Sequence, residues 1–267
     1  MKKGQVVHKL YLDTKTDIPF IPAQISIYQP SIKEICLLNE ANFLLAVNAL
    51  TRDYIQEIKT EDNSDLTEYK NFDILMSIIK EKTDNSKRIF YSIFGLLELI
   101  FPNYNIQFSP ISILFQDKND KNAEIKMIDK DSFDDFTDIL YDMFGLAELM
   151  GGGQQDYNPM GDRARALVEK FKQKRELLAQ LKRQRGEDTE NNSVFGRYIN
   201  ILAIGEHKDK NILTNYSVYQ LIEEFKRFQL KETFDYTFQA RMAGATNLKD
   251  AQDWMQEITL GVENVKE

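Results

Sequence analysis

Apolar residues recur at helical spacing over most of the chain and alternate with polar ones in a few short runs. Residues 5–28 alternate in character, with Val6, Val7 and Leu10 first, then Ile25, Ile27 and Tyr28, and Pro19 and Pro22 between. Strands or extended segments fit this pattern better than a helix. Gln29-Pro30 closes the run, and Ser31 with Glu34 three residues on has the spacing of a capping box. Helices are expected from there to about Ile58, with Phe43, Leu44, Val47, Leu50 and Tyr54 as the apolar face. A second helical pair uses Leu66, Phe72, Leu75, Met76 and Ile79, then Ile89, Phe90, Ile93, Phe94, Leu97 and Ile100, and Pro102 stops it. Three β-like runs follow, at Ile106–Phe108, Ile111–Phe115 and Ile125–Met127. The polar stretch 117–122 reads as a turn, so a hairpin or three-stranded meander is expected. Ser132 then caps an acidic amphipathic helix with the stripe Phe133, Phe136, Ile139, Leu140, Met143, Phe144 and Ala147. Its aspartates near the start suit the positive end of the helix dipole.

Past residue 150 the pattern is helical throughout. A helix is expected over 160–185, a loop through 186–192, and a short helix over Ser193–Ala203 ended by Gly205. A long helix starts after Ser217, with Gln220 at the capping-box position, and runs to Met242, where Gly244 stops it. Its apolar positions Val218, Leu221, Ile222, Phe225 and Phe228 make one stripe. Leu230, Phe234 and Phe238 continue on a rotated face, so this helix needs more than one neighbour. A last amphipathic helix would use Leu248, Ala251, Trp254, Met255 and Ile258.

The stretch Gly151-Gly152-Gly153 through Asn158-Pro159 interrupts this order, because glycine frees the backbone and the residue before proline avoids helix. Charge changes at the same place. Residues 1–150 carry 16 Lys and Arg against 24 Asp and Glu, whereas residues 151–267 carry 18 of each. The expected architecture is an acidic α+β N-terminal domain (1–150), a glycine-rich linker (151–159) and an all-α helical C-terminal domain (160–267), predominantly helical overall. The net charge of −8 disfavours nucleic acid as a general partner without excluding a local basic patch. The most apolar run, Ile89 to Phe101, is too short to span a bilayer. The one cysteine, Cys36, sits among apolar residues and reads as a small buried hydrophobe.

Candidate chemistry is sparse. The segment 162–185 carries Arg163, Arg165, Lys170, Lys172, Lys174, Arg175, Lys182, Arg183 and Arg185 against three acidic residues, a net of +6. It reads as an amphipathic helix with solvated cations or as a helix for packing on a partner, and nucleic-acid contact is the alternative. Asp134, Asp135 and Asp138 on the acidic helix are its natural counterpart, in the same chain or a neighbour. No histidine is close enough to make those aspartates a metal site, and the Asp129–Asp131 stretch lacks the glycine and terminal glutamate of a calcium loop. The two histidines, His8 and His207, have no nucleophile or metal-ligand pattern around them, and His207 reads as a surface residue in a polar turn. No phosphate loop is present, because no Gly-Lys-Ser/Thr follows the glycines. No catalytic residue, cofactor or metal is expected. Trp254 is the best candidate for an aromatic anchor.

The second half has a recognisable cadence: Tyr219-Gln220-Leu221, Phe225 with Phe228, Leu230-Lys231, Phe234-Asp235, Ala243-Gly244-Ala245 and Asp253-Trp254-Met255. With the Asn158-Pro159 linker and the Lys/Arg-rich helix after it, it resembles a group of tailed-phage proteins from Gram-positive hosts, encoded among tail and baseplate genes. The resemblance spans roughly residues 158–258. It implies a non-enzymatic tail or baseplate assembly factor, chaperone-like or structural. Partners would be tail or baseplate proteins, with self-association open. The protein would work in the host cytoplasm or remain in the virion, away from membranes.

Overall fold

The computed structural model describes residues 7–50, 70–81, 83–120, 122–146, 193–246 and 250–256. The opening segment departs from the extended reading. Lys9–Asp13 is a short helix, α1, because His8 takes the N-cap position and its Nδ1 accepts from the Leu10 N–H at 3.2 Å. The extended reading holds further on. β1 (Ile18–Phe20) and β2 (Ile25–Ile27) form an antiparallel hairpin across a 3-10 turn, with Ile18 opposite Ile27 and Phe20 opposite Ile25, all four buried.

The capping box at Ser31 and Glu34 is present and starts α2 (Ile32–Leu38). Burial works against the Glu34 carboxylate, but hydrogen bonds from Ser31 and Tyr28 outweigh it and its pKa is lowered. Asn39, at φ 72°, separates α2 from α3 (Glu40–Leu50). Cys36 is exposed rather than buried. Ile32 and Ile35, one helical turn apart, take the inward face of α2 and turn Cys36 and Leu37 outward.

In the next pair, α4 (Asn71–Lys80) buries Phe72, Leu75 and Met76 and α5 (Asp84–Ile100) buries Ile89, Ile93, Leu97 and Ile100 of the expected faces, and α5 ends just before Pro102; Tyr54 and Leu66 lie outside the described residues. The meander is β3 (Tyr104–Phe108), β4 (Ser112–Asp117) and β5 (Lys126–Asp129), antiparallel throughout. Its third strand is phased opposite to expectation. Ile128 is buried and pairs with Ile113, while Ile125 and Met127 are more than half exposed. With a period of two, a one-residue shift exchanges every inward and outward side chain. Here Lys126 reaches the Gln24 carbonyl at 2.7 Å, and Lys126 and Ile128 share one face of the strand.

The acidic helix is α6 (Phe133–Met143), and the predicted stripe is buried from Phe133 to Phe144, while Ala147 lies outside the described residues. Ser132 occupies its N-cap position without capping it. Its hydroxyl donates instead to the Asp129 carboxylate at 2.7 Å, and this bond is the main reason the Asp129 pKa is lowered. Phe101 joins the layers, 4.7 Å from Phe115 of β4 and 6.0 Å from Phe136 of α6.

Among the described residues, three helices follow residue 192: α7 (Val194–Gly205), α8 (Lys210–Thr214) and α9 (Val218–Met242). The short α8 is additional to the expected elements. Residues 250–256 are not helical, which corrects the amphipathic helix expected around Trp254. Phe195, Leu202, Leu213, Leu221 and Ile222 belong to the same buried cluster as Phe43, Phe101 and Phe136. The fold is a mixed α+β N-terminal region with small sheets followed by a helical C-terminal part. The glycine segment 151–159 and the expected basic helix 162–185 lie outside the described residues.

Candidate functional site

The long helix α9 changes character along its length. Its start is tied down. Ser217 accepts from Gln220 N, and Gln220 returns a bond to Ser217 N, completing the second capping box. This start meets the other capping box: Ser31 bridges to Ser217, and Ile32 N donates to the Tyr216 carbonyl at 2.9 Å. Gln220 Nε2 donates to the Asp13 carbonyl at 2.7 Å, and Lys15 Nζ to the Asn215 carbonyl at 3.0 Å. Val218, Tyr219, Leu221 and Ile222 are buried. One turn on, Phe225 stacks on Tyr198 of α7 at 4.3 Å and an interplanar angle of 17°. Phe228 lies over Gly205, where a Cβ would sit 2.4 Å from the ring. Glycine there lets the two helices meet.

Beyond Phe228 no residue of α9 is buried. Leu230, Phe234, Phe238 and Met242 follow one another at i, i+4 spacing, a ridge of the kind that packs into the groove of another helix. Phe238 is 59% exposed and Met242 76%. Tyr236, 67% exposed, lies on another side of the same helix. The end of the helix is held by an ion pair from Arg241 to Asp250.

Between the buried base and the exposed end lies a polar junction. Lys208 bridges the carboxylates of Glu206 (3.0 Å) and Glu224, and sits over the Tyr216 ring. Burial lowers the Lys208 pKa, but the two carboxylates outweigh burial and raise it. The Glu206 pKa is raised, first by burial and then by neighbouring Glu224, with Lys208 opposing. The stabilisation from Lys208 is therefore present below the ordinary lysine pKa and lost as pH rises through the raised one. Lys208→Met leaves two part-buried carboxylates facing each other. It is expected to cost about 1–3 kcal/mol at about pH 7.5, between exposed and buried ion pairs. The cost should shrink as the pH is lowered and Glu206, whose pKa is raised, takes up a proton, and urea denaturation across a series of pH values checks this. Beside this junction a cleft of about 410 Å³ is lined by Lys9, Asp13, Tyr216, Gln220, Glu223, Glu224 and Arg227. Neither histidine lines it. His207 is exposed at φ 55°, as expected for a surface turn. Among the described residues, no group of three His, Cys, Asp or Glu could hold a metal ion, and no helix is long and apolar enough to cross a membrane.

The residues singled out in the sequence fall in different places. Asp134, Asp135 and Asp138 are half-buried on α6. The partners the structure gives this acidic region lie at the start of α4. Asn71 donates to Asp134 at 2.8 Å, Lys70 pairs with Asp131, and Lys130 pairs with Asp73. Trp254 is half-buried in a turn, and its carbonyl accepts from Arg227 Nη1 at 3.0 Å. Arg163, Arg165, Lys170, Lys172, Lys174, Arg175, Lys182 and Arg183 lie outside the described residues. Met242 extends the rotated face of α9 by one more turn, and that face announces a second neighbour without saying what it is. Tyr236, on another side, has no such signal in the sequence.

A family model described as the YomV second domain matches residues 189–259, the stretch that holds α7, α8 and α9. No curated protein and no solved structure is a significant match to the chain.

Proposed function

We propose that this chain is a non-enzymatic phage morphogenesis protein that binds tail or baseplate subunits, as an assembly chaperone or a structural component. The observation that carries the reading is the apolar ridge at the end of α9, whose last members Phe238 and Met242 are exposed, inside the stretch matched by the YomV second domain. YomV is a Bacillus prophage-related protein, and the cadence of residues 158–258 resembles that of tailed-phage proteins encoded among tail and baseplate genes. An exposed aromatic and methionine ridge on a helix anchored at its other end suits capture of another helix, because large apolar side chains held on a rigid element bind at little entropic cost. Methionine adds adaptability to such a surface.

Co-expression with tail or baseplate subunits, followed by affinity capture through the full chain, tests this reading. Capture of a subunit in stoichiometric amount is the expected result. Capture of none, across the tail and baseplate subunits of one phage, contradicts it. In the same assay, charge reversal at Lys170, Lys172 and Lys174 is expected to weaken capture with the thermal midpoint unchanged. Unchanged capture removes the basic segment from the account.

A further inference from the structure

We infer that the described residues before position 147 and those from 193 to 246 form one folding unit, clamped at the start of α3, rather than two independently folded halves. The clamp has a polar and an apolar part. The Glu40 carboxylate accepts the Val194 N–H at 2.6 Å, the Phe195 N–H at 3.4 Å and the Ser193 hydroxyl. A carboxylate from the first half therefore satisfies the free N–H groups that open α7 in the second, and complements the dipole there. One turn along α3, Phe43 is fully buried between Phe144, at 5.0 Å, and Phe195, at 5.8 Å. Phe144 closes α6 and Phe195 begins α7, so one ring of α3 packs against an end of each half.

A second seam ties the halves at another place, where Ser31 bridges Ser217 and where Asp13 and Lys15 bond to Gln220 and Asn215. Domain boundaries fall where few contacts cross. Here buried apolar residues and helix-capping groups of both halves complete each other, and Leu146 and Phe195, flanking the intervening segment, are buried in the shared core. Two helix starts, those of α7 and α9, rest on groups from the first half.

Placing a specific protease recognition sequence at 151–159 of the full chain, cutting it, and running gel filtration tests this. The expected result is that both pieces elute together at the volume of the uncut protein and melt in one transition. Pieces that elute as two separate folded species overturn the inference. Glu40→Ala in the cut protein is expected to bring the pieces apart at about tenfold higher concentration, the equivalent of 1.4 kcal/mol. An unchanged dissociation overturns the role given to Glu40. Neither result depends on partner binding.

Discussion

Phe43→Ala should lower the stability of the protein by about 3–5 kcal/mol, a large share of the 5–15 kcal/mol typical of folded chains. The ring is fully buried, and it meets Phe144 edge-on, at 89°, and Phe195 at 59°. Aromatic pairs of this kind contribute about 0.5–1.5 kcal/mol each beyond the area they bury. Truncation would leave a cavity bordered by α3, the end of α6 and the start of α7, and three separate elements cannot collapse into it without moving the capping contact at Glu40. Phe43→Leu should restore more than half of the loss, since it keeps most of the volume and forfeits only ring geometry. Urea denaturation followed by far-UV circular dichroism measures both variants. A loss below about 1 kcal/mol for the alanine variant would show that the ring is not the junction described here.

The second large effect is on binding. Phe238→Gln with Met242→Gln should leave the thermal midpoint within a degree or two, because both side chains are mostly exposed and glutamine is a good helix former. Capture of the tail or baseplate partner should fall at least about thirtyfold, the equivalent of losing one aromatic hot spot of about 2 kcal/mol. The combination distinguishes a contact surface from a structural one. A core residue would lower the midpoint and binding together, whereas these should lower binding alone. Full capture by the double variant would remove the end of α9 from the interface.

The sequence announced most of the elements that rest on local rules. The two capping boxes, the ends of α5 and α9, the meander and the stripe of α6 are written in short-range spacing, and each is present. What it did not show depends on partners distant in the chain. The phase of β5 follows the burial of Ile128 opposite Ile113, with Lys126 on the same face bonded to Gln24, and the outward turn of Cys36 follows the burial of Ile32 and Ile35. The start of α1 hangs on a histidine cap, an uncommon choice for that position. Glu40 carries no signal in the sequence, because the helix it caps begins far along the chain. The aspartates of α6 were legible as an acidic face, but not their half-burial, nor the contacts of Asp134 with Asn71 and of the preceding Asp131 with Lys70. The ridge on α9 was half legible: periodicity gave the rotated face, and only the packing of α7 against the first half of the helix separates its buried base from its exposed end.

Affinity capture of the full chain from phage-infected cells, with and without nuclease and read by mass spectrometry, tests the central claim most directly. The account predicts tail or baseplate subunits recovered equally with and without nuclease. Recovery of nucleic acid, with the protein partners lost after nuclease treatment, would contradict it and move the function of the basic segment to DNA or RNA.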